Sequence, residues 1–150
     1  MAANNDGLSL DEQLCFATYA AAQAFNRVYR PLLDPLGLTY PQFLVMLVLW
    51  EGDDLPISQI GSRLHLDSGT LTPLLKRLEK SGLVKRQRST RDEREVRISL
   101  TPEGRALRSK AASARAHVAC ATNLEKSGIN DLKQQLLKLR FDLLRYQPDH

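Results

Sequence analysis

The sequence predicts a mainly α-helical fold that carries one small β-hairpin. Apolar residues recur at intervals of three and four over most of the 150 residues, which is the spacing of amphipathic helices. One central stretch alternates apolar and polar residues on both sides of a polar turn, a pattern typical of a hairpin. With 43% apolar and 25% charged residues, the composition is that of an ordinary globular protein, and residues 1–150 are long enough for one domain with a core.

Two helices are predicted in the first third of the chain. Ser9 and Glu12 have the spacing of a capping box, so the first helix is expected to begin there. Thr39 and Gln42 have the same spacing at the start of the second helix, which should end at Gly52. The first helix has a stripe at helical spacing that comprises Leu14, Thr18, Ala21, Phe25, Val28 and Leu32.

Two shorter helices joined by a turn should follow. Pro56 and Ile57 are expected to form a very short strand, Ser58 to cap the first of these helices, and His65 to lie in the turn. Asp67 or Ser68 caps the second helix. The buried face and stop signal of that helix are Leu71, Leu74, Leu75, Leu78 and Gly82.

The hairpin and two further helices complete the chain. The alternating positions of the hairpin are Val84, Arg86, Arg88, Val96, Ile98 and Leu100. Pro102 is expected to open an alanine-rich helix that Gly128 breaks, and Asn130 to cap a last helix that ends near Tyr146.

Positive charge is concentrated in the middle of the chain. The net charge is only +4, but residues 63–115 hold fourteen basic and six acidic side chains, whereas residues 1–62 hold two and seven. This asymmetry indicates a local surface for a polyanion. Charge alone favours the simpler interpretation, which is a solvated charged face.

The arrangement of elements favours DNA as the polyanion. Two helices joined by a turn and followed by a hairpin form a winged helix-turn-helix, here residues 56–100, whose second helix can enter the major groove. An arginine at the tip of the hairpin could enter the minor groove. On the second helix, the expected contacts are Ser68, Gly69, Thr70, Thr72, Lys76 and Arg77, and the hairpin supplies Lys85, Arg86, Arg88, Arg91, Arg94 and Arg97.

Acidic residues in the hairpin tip need a separate explanation. Asp92 could hold the guanidinium of Arg94 through a charge-assisted hydrogen bond and so orient it. The alternative is an exposed ion pair worth about 0–1 kcal/mol. Sequence position does not decide between the two.

This central segment resembles the MarR family of bacterial transcriptional regulators. The resemblance covers residues 58–101, including LHLDSGTLTPLLKRLEKSGLVKR and RDEREVRISLT, and the family's Asp-x-Arg wing motif falls on Asp92 and Arg94. It implies a homodimer on pseudo-palindromic double-stranded operator DNA, with long N- and C-terminal helical regions, 9–50 and 101–147, forming the dimer interface. Taken alone, the apolar stripes of those regions also fit the core of a monomer.

The two cysteines, Cys15 and Cys120, are too few for a disulfide scaffold and are typical of a reducing cytoplasm. A buried, inert thiol is the usual state of an isolated cysteine. Three of the four tyrosines, Tyr19, Tyr29 and Tyr40, lie near Cys15 in sequence, and a tyrosine hydroxyl can lower a thiol pKa. Fourteen helical positions separate Cys15 from Tyr29, about 21 Å. The two residues can therefore share a site only across two subunits.

Residues 14–51 resemble the N-terminal signature of the organic hydroperoxide resistance regulators, a MarR subgroup, and the resemblance extends from residue 10 to about residue 146. It implies that Cys15 is the peroxidatic sensor and that Tyr29 and Tyr40 from the other subunit bind its thiolate. Cys120 then matches the resolving thiol of the two-cysteine type. The expected signal is an organic hydroperoxide, which oxidises Cys15 and leads to a Cys15–Cys120 disulfide between subunits. No cofactor is implied.

Several alternatives stay open. The oxidised Cys15 could form a mixed disulfide with a small thiol, the regulator could answer an aromatic ligand, or the protein could be a thiol peroxidase, although the basic hairpin favours a non-enzymatic role. A pocket selective for organic peroxides has candidate residues that are also plausible core, namely Phe16, Phe43, Met46 and Leu47.

Other sites and locations are less favoured. His117 and Cys120 supply at most half of a four-ligand zinc site, so no metal is expected. The longest mainly apolar stretch has eight residues, against about 20 for a membrane span. The N-terminus lacks the basic cluster of a signal peptide, so a cytoplasmic protein without membrane contact is expected.

Overall fold

The computed structural model describes residues 6–148 and is mainly helical over that range. The fold class predicted from the sequence is confirmed. The elements are α1 (Leu14–Leu33), α2 (Tyr40–Glu51), β1 (Leu55–Pro56), α3 (Ile57–Leu64), α4 (Ser68–Lys80), β2 (Val84–Arg88), β3 (Val96–Leu100), α5 (Pro102–Ala121) and α6 (Lys126–Arg145), with 3-10 turns at Leu10–Glu12 and Asp34–Leu36.

The sheet is a three-stranded antiparallel unit in the order β1-β3-β2. Val84 lies opposite Leu100 and Arg88 opposite Val96, and this pairing confirms the predicted hairpin. Only two residues of β1 pair with β3. We call residues 84–100, the hairpin with its loop, the wing.

The chain divides into two compact units, residues up to Ala114 and residues from Arg115 onward. The first unit contains an apolar core to which α2, α3, α4 and the wing all contribute. Its fully buried side chains include Leu33, Phe43, Met46, Leu49, Ile60, Leu71, Leu75, Leu78, Val84 and Ile98. Burial of each of these side chains contributes roughly 1.5–3 kcal/mol of transfer free energy. This burial holds α3, α4 and the wing against α2.

Long helices in both units leave apolar side chains in solvent. On α1 these are Leu14, Phe16, Tyr19, Phe25 and Val28, and on α6 they are Leu132, Leu136, Leu137, Phe141, Leu143 and Leu144. Contiguous exposed apolar faces of this size are typical of surfaces that another chain covers.

The predicted capping box at Ser9 is wrong. Ser9 makes no side-chain cap bond, and a 3-10 turn, Leu10–Glu12, precedes α1. The side-chain amide of Gln13 donates to the carbonyl oxygens of Gly7 and Ser9 at 2.6 and 2.9 Å. Because this amide fixes the preceding turn, α1 begins only after Gln13.

The boundary between α5 and α6 also differs from the prediction. Gly128 and Asn130 lie within α6, whose N-cap is Glu125. Helix α5 ends earlier because Asn123 adopts a left-handed conformation, with φ of 54°, and asparagine tolerates this region better than most residues. The predicted end near Tyr146 is confirmed, since Tyr146 is the C-cap.

Helix α2 begins as predicted. The main-chain N–H of Thr39 donates to Gln42 Oε1 at 2.9 Å, and the N–H of Gln42 donates to Thr39 Oγ1 at 3.4 Å, so both bonds of the capping box are present. The predictions of Ile57 as strand and of Ser58 as an N-cap are wrong, because α3 begins at Ile57 with Pro56 as its N-cap.

Within residues 6–148, no single helix has the length and hydropathy to cross a membrane; α1 with its 3-10 extension and α2 meet the criteria only when taken together, and they are bent by 70°.

Candidate nucleic-acid interface and cysteine site

The turn between α3 and α4 is tight for a steric reason. His65 has a left-handed conformation with φ of 58°, and the N–H of Leu66 donates to the carbonyl of Gly61 at 3.0 Å. A Cβ atom at Gly61 would lie 2.8 Å from the Leu66 carbonyl oxygen, so a larger residue would push the turn open. The sequence thus forms the compact helix-turn-helix that was predicted.

Asp67 rather than Ser68 caps α4, because its carboxylate accepts the N–H of Thr70 at 2.7 Å. These hydrogen bonds to Thr70 hold the pKa of Asp67 below its usual value. Gly82, with φ of 75°, follows the end of the helix, and the N–H of Leu83 returns to the carbonyl of Leu78 at 3.1 Å. Both predicted boundaries of α4 are therefore present.

Helix α4 has one buried and one exposed face, as its spacing predicts. The four predicted core leucines are all buried. Of the predicted DNA contacts on this helix, Thr72 is half-buried, and the exposed residues are Ser68, Gly69, Thr70, Lys76 and Arg77. The exposed N-terminal turn holds small side chains, and the positive charges lie further along. This arrangement suits base-edge contact at one end and phosphate contact at the other.

The wing tip is ordered by its own polar side chains. Ser89 Oγ accepts the N–H groups of Arg91 and Asp92 at 3.2 and 3.4 Å. Asp92 Oδ1 accepts the main-chain N–H of Arg94 at 3.0 Å, rather than the guanidinium bond that was one of the two interpretations left open by the sequence. Asp92 therefore shapes the loop that presents Arg94, and Arg94 itself is exposed.

Two other wing arginines are not free surface charges. Arg86 is half-buried, its Nε is buried without a hydrogen-bond partner, and its main-chain N–H donates to Glu79 Oε2 at 3.1 Å. Arg97, expected on the DNA-facing hairpin, donates to Asp54 Oδ1 at 3.0 Å and to Glu95 Oε1 at 2.9 Å. Hydrogen bonds to these carboxylates raise the pKa of Arg97.

Sequence reasoning gave no role to the adjacent carboxylates that follow α2. Asp53 accepts the main-chain N–H of Leu100 at 2.8 Å and binds Arg105 at 2.6 Å. Asp54 binds Arg97. The available signal was two acidic residues directly before a short strand, but only the pairing of β1 with β3 places them beside the wing.

The predicted tyrosines meet at one site. The ring centroids of Tyr29 and Tyr40 are 4.9 Å apart, and Tyr29 lies 5.4 Å from Phe43. Burial raises the pKa of Tyr40, so its hydroxyl stays protonated at neutral pH and can donate a hydrogen bond. Of the proposed selectivity pocket, Phe43 and Met46 are core residues and Leu47 is half-buried, whereas Phe16 is 39% exposed.

Cys15 and Cys120 are both exposed, and neither forms a disulfide within the chain. Cys15 is the second residue of α1, the helix that also carries Tyr29, so the two are about 21 Å apart along it. One chain therefore does not bring Cys15 to the tyrosine pair. Beside Tyr40 an open cavity of about 380 Å³ is lined by Asn26, Arg30, Leu33, Asp34, Leu38, Thr39, Tyr40 and Pro41.

Comparisons with known proteins identify the family. Residues 27–111 match the family model described as transcriptional regulator SarA/Rot. The chain is 47% identical to the organic hydroperoxide resistance transcriptional regulator of Bacillus subtilis over 86% of each chain. It is 64% identical over 106 residues to the HTH-type transcriptional regulator TtmR of Methylorubrum extorquens, of which it spans 54%.

Solved structures agree with this assignment. Reduced AbfR bound to DNA is 35% identical, with a TM-score of 0.76 over 91% of this chain and 95% of that one. A disulfide form of AbfR is 38% identical, with a TM-score of 0.62 over 87% and 91%. AbfR is a protein of Staphylococcus epidermidis. By sequence and by fold, the chain belongs to the SarA/Rot/MarR family of winged-helix transcriptional regulators.

Proposed function

We propose that this protein is a cytoplasmic repressor that binds pseudo-palindromic operator DNA as a homodimer and releases it when an organic hydroperoxide oxidises Cys15. The observation that carries the proposal is the pair of tyrosine rings 4.9 Å apart at the opposite end of α1 from an exposed cysteine. The name of the Bacillus subtilis relative supports the signal. The reduced, DNA-bound and disulfide forms of AbfR support a thiol switch.

A second copy of the chain completes the cysteine site. The exposed apolar side chains next to Cys15 include Leu14 and Phe16, which are 64% and 39% exposed. When two α1 helices pack antiparallel across a two-fold axis, the start of one lies against the end of the other. Cys15 then approaches Tyr29 and Tyr40 of the partner subunit. Hydroxyl donors at hydrogen-bond distance would stabilise the Cys15 thiolate and so favour its attack on a peroxide.

The oxidation uses two thiols and one hydroperoxide. The Cys15 thiolate attacks the terminal oxygen of ROOH, so an S–O bond forms and the O–O bond breaks; the hydroxyl proton stays on the sulfenic acid, and the leaving alkoxide RO− takes a proton from water to become ROH. The resulting sulfenic acid is attacked by the thiolate of Cys120 from the partner subunit, which forms the disulfide and releases hydroxide. The peroxide gains two electrons, and the two thiols lose them.

DNA binding uses α4 and the wing of each subunit. Ser68, Gly69 and Thr70 enter the major groove at the N-terminus of α4, and Arg94 enters the adjacent minor groove. Phosphate contacts come from Lys76 and Arg77, with Thr72 and Arg86 supporting the surface beneath them. A disulfide between subunits changes the spacing and orientation of the two winged domains. The two α4 helices then no longer fit two successive major grooves.

The test uses the fluorescence anisotropy of a labelled DNA fragment from upstream of the gene. The reduced protein should bind, release the DNA after one equivalent of cumene hydroperoxide, and rebind after dithiothreitol. Cys15→Ser should bind and ignore the peroxide. Cys120→Ser is the matched control, because it should lose its Cys15 thiol to the peroxide without forming a linked dimer on a non-reducing gel.

Other outcomes count against the proposal in distinct ways. Binding without release would indicate a different signal, such as an aromatic ligand. A linked dimer that persists in Cys120→Ser would exclude Cys120 as the resolving thiol. Phosphate contacts are strongest at low salt, so low salt is the most sensitive condition for detecting DNA binding. No binding there, together with repeated peroxide turnover with excess thiol, would indicate a thiol peroxidase.

A further inference from the structure

The wing is joined to the rest of the first unit by few main-chain hydrogen bonds. Strand β1 contributes only Leu55 and Pro56 to the sheet, and proline has no N–H to donate. Side chains of the loop between α2 and β1 supply further bonds. Asp53 accepts the N–H of Leu100 at the end of β3, and Asp54 binds the side chain of Arg97 within β3.

Each of the three side-chain nitrogens of Arg97 donates a hydrogen bond, two of them to Asp54 outside the wing. Its Nε donates to Asp54 Oδ1 at 3.0 Å and its Nη1 donates to Glu95 Oε1 at 2.9 Å. Its Nη2 donates to the main-chain carbonyl of Asp54. A DNA phosphate would have to displace carboxylates that already neutralise this guanidinium. Arg94, in the loop between β2 and β3, is exposed instead, and it is held through its main-chain N–H.

The backbone of Asp54 suits this connection. Its φ of 55° lies in the left-handed region, which disfavours residues other than glycine and is tolerated best by asparagine and aspartate. In this conformation both its carboxylate and its carbonyl oxygen face the same guanidinium. A glycine would give the turn without the charge, so the aspartate here serves the contact with Arg97.

We propose that Asp54 and Arg97, which we call the wing clasp, are positioning residues for DNA binding. The clasp sets the angle of the wing relative to α2 and thereby places Arg94 in the minor groove. Neither residue contacts DNA. This inference rests on DNA binding by the reduced protein and is independent of the response to peroxide.

For Asp54→Asn, the loss of negative charge and the loss of wing positioning predict opposite changes in DNA affinity. Asp54→Asn removes a negative charge near DNA, so simple electrostatics predicts tighter binding. It retains the size of the side chain and the tolerance for a left-handed backbone. If the clasp positions the wing, Asp54→Asn should instead weaken binding by about three- to tenfold. Glu93→Gln is the matched control, because it removes the same charge from the exposed wing tip and should leave binding equal or tighter.

The salt dependence separates positioning from direct contact. Anisotropy titrations of the full-length reduced protein at several salt concentrations give the slope of log K against log salt. Each phosphate contact contributes about −0.9 to this slope. Arg97→Ala should weaken binding with the slope unchanged, and Arg97→Lys, which can still pair with Asp54, should recover part of the affinity. Lys76 is a proposed phosphate contact, so Lys76→Ala should make the slope shallower by about 0.9.

Clear results overturn the proposal. Tighter or unchanged binding by Asp54→Asn would show that the clasp does not position the wing. A shallower slope for Arg97→Ala would make Arg97 a phosphate contact. Near-ultraviolet circular dichroism and gel filtration establish that each variant is folded and dimeric. If Arg97→Ala fails to fold, Asp54→Asn and Arg97→Lys decide the question. Absence of DNA binding by the wild-type protein would instead contradict its role as a repressor.

Discussion

The indole N–H of Trp50 donates a hydrogen bond of 2.9 Å to the main-chain carbonyl of Gly104. This contact joins the end of α2 to the first turn of α5. Trp50 also packs edge-on against Phe43, with ring centroids 6.4 Å apart, and Phe43 packs against Tyr29 and Tyr40. A continuous row of aromatic side chains therefore runs from the tyrosine pair to the helix that follows the wing.

Replacing Trp50 with phenylalanine should test the hydrogen bond while retaining an aromatic ring. A hydrogen bond of this kind contributes about 0.5–1.5 kcal/mol, so Trp50→Phe should lower the free energy of unfolding by at least that amount. Urea denaturation followed by circular dichroism measures the change, since the variant lacks the chain's single tryptophan. An unchanged urea midpoint would show that the contact is not stabilising.

Gly104 should tolerate no side chain. A Cβ atom there would lie 2.1 Å from the carbonyl oxygen of Leu83, which is main chain and cannot rotate away. Gly104→Ala is expected to destabilise the fold by about 1–3 kcal/mol, as overpacked sites do. Gly52→Ala is the matched control, because its Cβ meets nothing within 4 Å and its φ of −153° suits any residue. Equal thermal melting of the two variants would contradict the steric argument.

The cap of α4 should make stability depend on acidity. Hydrogen bonds from Thr70 lower the pKa of Asp67 in the folded state from its ordinary value of 3.8. A lowered folded pKa means that the charged carboxylate stabilises the fold above pH 3.8 and that this stabilisation is lost as the pH falls through the folded pKa. Denaturant titrations should show Asp67→Ala less stable than wild type at pH 7, with the gap narrowing at acid pH.

Asp67→Asn is the control for this effect, since asparagine caps a helix without a titratable group. Its stability relative to Asp67→Ala should not change over the same pH range. A wild-type advantage that stays constant down to the acid end of the titration would exclude the carboxylate as its source.

Local signals predicted much of the fold because they act over a few residues. Thr39 and Gln42 cap α2 through adjacent main-chain groups, and the alternation of apolar and polar residues predicted the two strands of the wing. Failures occurred where another residue took over a local role. Gln13 replaced Ser9 at the start of α1, and Asn123 ended α5 before Gly128 was reached.

The site shows the same division. The exposed face of α4 could be predicted from the spacing of its leucines in the sequence. The ion pair of Arg97 could not be predicted, because its partner Asp54 is 43 residues away and reaches it only through the pairing of β1 with β3. Charge counts treat Arg94 and Arg97 alike, and only the tertiary structure distinguishes the exposed arginine from the paired one.

The tyrosine pair should control the reactivity of Cys15. Tyr29→Phe and Tyr40→Phe each remove a hydroxyl donor to the Cys15 thiolate, which should slow oxidation by cumene hydroperoxide at pH 7. A hydrogen bond to a charged group contributes about 1.5–3 kcal/mol, so the loss of one should lower the oxidation rate about tenfold.

Tyr19→Phe is the control for the tyrosine variants. The hydroxyl of Tyr19 accepts the side-chain amide of Gln23 on the same helix at 2.9 Å, and 60% of the residue is exposed. Its loss should leave the oxidation rate unchanged. Equal rates for all three variants in stopped-flow assays would remove the tyrosines from the sensing chemistry.

Arg94 should contribute to DNA affinity without affecting the cysteine. Its side chain is exposed at the wing tip, and its main chain is fixed by Asp92, so the proposed entry into the minor groove would start from an ordered loop. Arg94→Ala should weaken binding by about 1–3 kcal/mol, the range for an arginine that reads a groove, while Cys15 oxidises at the wild-type rate. Lys138→Ala, which removes an α6 charge paired with Asp142, should preserve affinity in the same anisotropy assay. Wild-type affinity in Arg94→Ala would mean that the wing does not enter the groove through this residue.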